Sequence, residues 1–415
     1  MSAPTICLNM IVKNEAHVIS DTLSNLCEYF PFSYWVICDT GSSDGTQDII
    51  RNFFGEKGIS GELLEHVWRD FGHNRSLALS AAYNKTDYLL VFDADDRIVG
   101  DFKLPTEMTA DSYYMRLGKS FSWNRILIIN NRKKWCFKGV LHEFITHLEQ
   151  INETILIDGD YYISPGHGGS RSNAVNKYLN DAIILEKAFE TEPDEGMKNR
   201  YAFYCAQSYR DCENSEKAIE WYNKCLTRSN WVQEKWYSAY MIGNLYKKQN
   251  NMEEAAKYWL KTTEYDNERI EGIVDLCEYY RGIGSNLLVN LLYHKFKGYK
   301  KNVSNKLFVF NDKYNDLLEY NNSICAFYVN DKQSGYICCK QILKNKIAPG
   351  NIIKQTENNI NFYKDLMDAD PDNINSKDIE LVVSQCNVSR EKAQETLLKN
   401  NGDIVQSIIE LSTAI

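Results

Sequence analysis

Asp93-Ala94-Asp95-Asp96 follows directly on the apolar run Tyr88-Leu89-Leu90-Val91-Phe92, so three carboxylates gather where a strand ends. Like charges about 4 Å apart repel by ~1 kcal/mol even in bulk water, and by more against a protein wall. A cation relieves that repulsion. An all-oxygen donor set suits Mg²⁺ or Mn²⁺, ions that typically also hold phosphate oxygens. Taken alone, the tetrapeptide reads equally as a solvated acidic turn.

Other segments extend the chemistry. Asp39 ends a second apolar run and opens into Thr40-Gly41-Ser42-Ser43-Asp44-Gly45-Thr46, while Asn14-Glu15 ends the first run. Ser164-Pro165-Gly166-His167-Gly168-Gly169-Ser170-Arg171 is a Gly-rich loop that lets backbone approach phosphate and adds one imidazole and one guanidinium. His142, Glu143 and His147 do not form a zinc-protease signature, because that motif needs two His at i and i+4 and these are five apart.

The elements that position these groups alternate strand and helix over the first ~170 residues, the pattern of a mostly parallel sheet covered by helices. Strands are predicted at residues 5–12, 34–38 and 87–92, with helices at 16–28 and 46–54. The 41–45 stretch can only be a loop, and it leaves Thr46 placed to cap a helix. Ligands of open sheets sit beyond the carboxyl ends of strands, where Asp39 and Asp93 both fall.

Together these motifs resemble the family 2 glycosyltransferases, which use nucleotide-sugar donors, adopt the GT-A fold and carry an Asp-x-Asp metal motif. The resemblance covers about the first 170 residues and implies a set of roles. Asp39 would hydrogen-bond the nucleobase, Glu15 would lie beside the nucleoside, and Arg75, in Phe71-Gly72-His73-Asn74-Arg75-Ser76, would contact the diphosphate region. Asp93 and Asp96 would serve the donor; Asp93, Asp95 and His167 would hold Mn²⁺ or Mg²⁺; Arg171 would clamp the diphosphate. Trp135 and His142 would line the acceptor side, with Glu143 as general base of an inverting transfer, most simply from a UDP-sugar.

From residue 173 the texture becomes helix after helix. Tyr209, Ala218, Tyr222 and Cys225 correspond to Tyr246, Ala255, Trp259 and Thr262 at an offset of 37, a spacing of small and aromatic residues that resembles the tetratricopeptide pattern. A third copy is expected near 271–299 and a further helix pair over 318–344. Residues 366–376 read as an acidic linker. Beyond them, 377–415 hold three short amphipathic runs similar to the ubiquitin-associated domain of the nascent-polypeptide-associated complex alpha subunit, with Cys386-Asn387-Val388 in place of the Met-Gly-aromatic loop of ubiquitin binders. The expected fold class is therefore multidomain: a GT-A α/β domain (1–172), a tetratricopeptide-like all-α domain (173–365), a linker and a three-helix module (377–415).

Composition bounds the rest. A chain of 415 residues implies two to four domains, and 44% hydrophobic with 25% charged residues excludes wholesale disorder. With 47 Lys and Arg against 56 Asp and Glu, the net charge of −9 gives no global basic field for nucleic acid. Twelve Cys without a CxxC pair read as reduced thiols, and no run of about 20 apolar residues suggests a bilayer span, so a cytoplasmic protein is expected. Partners would be the sugar donor, an unknown acceptor, and proteins bound through the helical regions. Two rivals remain: an inactive transferase-like scaffold, and a nucleotidyltransferase that releases pyrophosphate.

Overall fold

Ile6, Leu8, Met10 and Val12 alternate with Cys7, Asn9 and Ile11, and all but Ile11 are buried. A strand so uniformly apolar is covered on both faces. In the computed structural model, which describes residues 4–166, 168–169, 176–298, 306–368, 376–400 and 403–413, this strand is β1 (Ile6–Val12), at the centre of a sheet. The chain divides into two compact units, Met1–Gly272 with Lys300–Asp312, and Ile273–Tyr299 with Lys313–Ile415.

In the first unit β1 is followed by α1 (Ile19–Tyr29), β2 (Phe32–Asp39), α2 (Thr46–Lys57), β3 (Gly61–Glu65), α3 (Phe71–Ala82), β4 (Tyr88–Val91), β5 (Arg97–Gly100), β6 (Ser112–Leu117) and β7 (Phe121–Asn130). Next come β8 (Trp135–Lys138), β9 (Phe144–His147), β10 (Thr154–Leu156) and β11 (Tyr161–Ser164). The strand order is β3-β2-β1-β4-β7-β6-β11-β5, with β10 beside β6. The first four strands are mutually parallel; β7 then runs antiparallel to β4 and to β6. The sheet is thus mixed, its parallel half being the one the sequence shows.

Side chains of β1 sort by parity. Ile6, Leu8 and Met10 face α1 and α2 and pack with Leu23, Leu26, Ile50 and Phe54, whereas Cys7 joins Ala78, Leu79 and Ala82 of α3 and Trp135, Phe137 and Ile145 of the β8–β9 hairpin. Asn9, on the α3 side, donates from Nδ2 to the Ala78 carbonyl at 2.9 Å and the Val36 carbonyl at 3.3 Å, fixing α3 to two strands at once.

The helices α4 (Lys177–Thr191), α5 (Glu195–Asp211), α6 (Ser215–Arg228), α7 (Val232–Lys248) and α8 (Met252–Tyr265) complete this unit. The offset of 37 is the distance from the start of α5 to that of α7, and from α6 to α8. Asn214 and Asn251 cap equivalent helices, accepting from the backbone of Lys217 and Glu254. The small residues of the repeat mark close approach: a Cβ on Gly243 would sit 2.5 Å from the Trp259 ring. Helices α4 to α8 and the sheet belong to one compact unit. The short strand β12 (Val309–Phe310) pairs with Ser122 and Phe121 of β7, and Arg269, 1% exposed, stacks on Trp236 while donating to the Leu307 and Phe308 carbonyls.

The second unit contains α10 (Asn286–Phe296), α11 (Leu317–Tyr328), α12 (Lys332–Asn345), α13 (Gly350–Asn359) and α14 (Lys364–Asp368), with most of α9 (Glu271–Gly282). Its last helices, α15 (Ser376–Cys386), α16 (Arg390–Lys399) and α17 (Ile404–Thr413), share a core of Ile379, Val382, Cys386, Ala393, Leu397 and Leu411. Ser389 and Asp403 cap the last two, as their positions in the sequence suggest. All twelve cysteines are free thiols. Among the described residues no helix is long and apolar enough to cross a membrane.

Candidate active site

Two loops close the carboxyl ends of β1 and β2. Asn14, at φ 55°, donates its N–H to Ser42 Oγ and accepts from Ser43 N–H at Oδ1, each at 2.8 Å. Glu15 N–H donates to Thr46 Oγ1 at 2.9 Å, and Ala16 N–H to Asp44 Oδ2 at 3.0 Å. Burial works against the Asp44 charge, but bonds from Thr46 and Ala16 outweigh it and hold the carboxyl below its usual range. The Ser42, Asp44 and Thr46 side chains therefore lock one loop to the other, and Glu15 is held at the end of β1 by that lock.

Asp39 itself is 1% exposed. Its Oδ1 accepts from Gly41 and Ser42 N–H at 2.8 Å each, while Oδ2 is buried and has no hydrogen-bond partner. Such an atom lacks about 1–3 kcal/mol of compensation, which a ligand N–H or O–H would supply.

Arg75 projects from α3, whose first turn touches the segment after β8: Gly72 N–H donates to the Gly139 carbonyl at 3.1 Å, and a Cβ on Gly72 would lie 2.4 Å from that oxygen. Gly139, at φ 112°, turns the chain toward Glu143. In consequence Arg75 Nε donates to Glu143 Oε1 at 2.6 Å and Nη2 to Asp93 Oδ1. Arg125, on β7, donates to Asp93 Oδ2 at 2.9 Å. Burial disfavours the Arg75 charge, but Asp93 and Glu143 outweigh it and raise its pKa. Burial likewise opposes Asp93 ionisation, and the two guanidiniums overcome it, holding this carboxyl far below the usual range.

Asp95 and Asp96 meet the Gly-rich loop. Gly169 N–H donates to Asp95 Oδ2 at 3.0 Å and Gly166 N–H to Asp96 Oδ1 at 2.9 Å. A Cβ on Gly166 would fall 2.2 Å from the Asp95 carbonyl oxygen, so only glycine permits this approach. Burial, followed by Asp93 and Asp95, pushes the Asp96 carboxyl up to about 7 against the Gly166 N–H.

The structure thus brings Arg75, Asp93, Asp95, Asp96 and Glu143 together, with Asp39 and Glu15 on the neighbouring strand ends. His167 and Arg171 lie outside the described residues. Among the described residues no group of three or more His, Cys, Asp or Glu could hold a metal. Three of the expected residues have these partners in the structure. Asp93, expected among metal ligands, has both oxygens on guanidiniums; Arg75, expected at the diphosphate, spends Nε and Nη2 on carboxylates. Trp135, expected on the acceptor side, is 7% exposed with its indole N–H on the Asn130 carbonyl, because β8 turns it and Phe137 inward against α3. His142 is exposed and stacks on Tyr204 of α5, ring centroids 4.2 Å apart.

Arg125 escaped the sequence reading; its signal was a lone cation in the middle of the run Phe121–Asn130. Asn74 escaped too. Fully buried, it pins the loop before α3 by donating to the Val67 carbonyl and accepting from Arg69 N–H.

This strand order and the acidic turn after β4 define a GT-A-like α/β domain joined to helical repeats. Residues 7–107 match Glycosyl transferase family 2, residues 206–230 and 237–268 match the tetratricopeptide repeat, and residues 373–412 match the HYPK UBA domain. The nascent polypeptide-associated complex subunit alpha of Dictyostelium discoideum is 32% identical over 73 residues, 17% of this chain and 46% of that protein, so the chain spans about half of this relative's length. Among solved structures, S. aureus TarS 1–349 in complex with UDP aligns at 14% identity over 64% of this chain and 92% of that one, TM-score 0.32. The mannosyltransferase PcManGT from Pyrobaculum calidifontis, in complex with GDP-Man and Mn2+, aligns at 14% identity over 64% and 76%, TM-score 0.29. The fold assignment rests on the chain's own strand order.

Proposed function

We propose that this protein is a nucleotide-sugar-dependent, inverting glycosyltransferase whose donor is a UDP-sugar. The observation that carries the reading is Asp39 Oδ2, a buried acceptor without a partner at the end of parallel strands. A uracil ring offers the N–H that this atom lacks. The match of residues 7–107 to family 2 supports the same assignment.

Four carboxylates, Asp93, Asp95, Asp96 and Glu143, stand against two guanidiniums, Arg75 and Arg125, which leaves two negative charges uncompensated when all are ionised. A divalent cation fits that surplus. Asp95 is the residue to hold it, since its Oδ1 takes no hydrogen bond from the described residues; Asp93 is committed to its guanidiniums. Bound Mn²⁺ or Mg²⁺ would offset charge on the departing nucleoside diphosphate.

Glu143 has one oxygen, Oε1, fixed by Arg75, and the carboxylate is thereby oriented with Oε2 to accept a proton from the acceptor nucleophile as it attacks the sugar C1. Arg75 is a positioning residue in this scheme. The experiment is nucleoside diphosphate release from UDP-, GDP- and TDP-sugars with Mn²⁺ or Mg²⁺, with wild type beside Asp39→Asn. Turnover of one UDP-sugar, reduced in the variant, supports the proposal; pyrophosphate release from a triphosphate, or no donor binding at all, refutes it.

A further inference from the structure

The candidate base leads directly into Phe144, which pairs with Lys138 across the β8–β9 hairpin. Between that hairpin and the first turns of α5 and α7 lies a cavity of about 320 Å³. Lys138, Phe144, Asn199, Arg200, Trp231 and Glu234 line it. Arg200 donates from Nε and Nη2 to the His142 carbonyl at 3.0 and 2.8 Å, so the cavity wall is fastened to the residue before Glu143.

Asn199 is the unusual member. It is 8% exposed, and its Oδ1 is buried with no hydrogen-bond partner. No bond to a described residue engages its Nδ2 either. Its Oδ1 has been taken out of water and given nothing in return, at the wall of a cavity large enough for a ligand. Glu234, 6% exposed, has only Oε2 engaged, by Ser229 Oγ at 2.6 Å. Trp231, 44% exposed, offers an apolar face at the rim.

We propose that this cavity seats a polypeptide segment of the acceptor, with the Asn199 carboxamide pairing one peptide unit. The inference rests on the glycosyltransferase reading above and names its acceptor class. A carboxamide holds a C=O and an N–H in one plane, and a peptide unit presents the complementary N–H and C=O, so one unit satisfies both atoms. An anion brings no donor and would leave Oδ1 unpaired. Helix pairs of repeat proteins build surfaces that suit extended chains, and here α5 and α7 supply the walls.

The test uses the full chain, an array of immobilised short peptides of random sequence, and a parallel array of oligosaccharides. Wild type is expected to retain a subset of the peptides, and Asn199→Leu to lose them by about tenfold, the worth of roughly 1.4 kcal/mol. Should Asn199→Leu fail to fold, Trp231→Ala at the rim is expected to weaken the same peptides. Retention of oligosaccharides only, no retention of peptides, or peptide binding indifferent to both variants overturns the proposal. UDP-sugar binding by wild type, measured separately, reads the glycosyltransferase assignment and fails independently of the array.

Discussion

Arg75 joins the two acidic ends of the site: its Nε lies 2.6 Å from Glu143 Oε1 while its Nη2 holds Asp93. One guanidinium from α3 thereby sets the distance between the turn after β4 and the segment after β8. Glu143, Asp93 and Arg75 behave as a single unit, because a change in any member strands the charge of another. Arg125 closes the far side of Asp93, so the acidic turn is held from two elements.

Removing that guanidinium is expected to cost stability before it costs chemistry. Breaking a buried pair by deleting one partner typically destabilises by about 3–5 kcal/mol, and the Arg75 side chain is only 8% exposed. Arg75→Met should lower the urea midpoint accordingly. Arg75→Lys should recover little, since a point charge cannot span the two carboxylates as the planar fork does. A midpoint unchanged in Arg75→Met would show the network to be incidental.

Glu143→Gln keeps the shape and a hydrogen-bonding oxygen but removes the proton acceptor. Transfer should fall by roughly 10²–10⁴-fold, with UDP affinity little changed. Turnover with a saturating acceptor, set beside calorimetric UDP binding, separates the two quantities. A loss confined to donor binding would assign Glu143 to the donor side.

Much of this arrangement was legible in the sequence because strand ends and Gly-rich turns are local signals. The carboxylates after Phe92, Asp39 before its loop, and the offset of 37 between repeat helices all follow from neighbours along the chain. Arg125 and Asn199 were not legible, since their importance depends on what lies opposite: Asp93 from another strand, and the β8–β9 hairpin across from α5. Trp135 illustrates the same limit. β8 turns Trp135 and Phe137 toward the core and Cys136 and Lys138 away from it, a parity fixed by the packing of α3.

Acid should reveal a separate weak point in the second unit. Burial opposes ionisation of Asp331, but bonds from His294, Ser334 and Asn290 outweigh it and hold the carboxyl at about 2. A folded value below the unfolded one means that this stabilisation is fully present above about pH 4 and is lost as pH falls through about 2. The carboxylate is 30% exposed, and solvent screening reduces its contribution to on the order of 1–2 kcal/mol. Asp331→Asn should therefore be less stable than wild type at neutral pH, and the gap should close near pH 2. Parallel urea titrations across that range measure it; a gap independent of pH would mean that the charge of Asp331 contributes nothing.

Chelation bears on the charge surplus around Asp95. With Asp93 spent on Arg75 and Arg125, the charges left uncompensated when both ionise are those of Asp95 and Asp96, where the backbone of Gly169 and Gly166 supplies one N–H each. One backbone dipole per carboxylate does not offset two like charges held side by side. EDTA should accordingly abolish donor turnover, and added Mn²⁺ or Mg²⁺ should restore it in wild type. Asp95→Asn should bind the nucleotide through Asp39 yet remain inactive at any metal concentration. Turnover that survives both EDTA and Asp95→Asn would instead place the neutralising charge on protein cations, and the acidic turn would then serve to hold Arg75 and Arg125 in place.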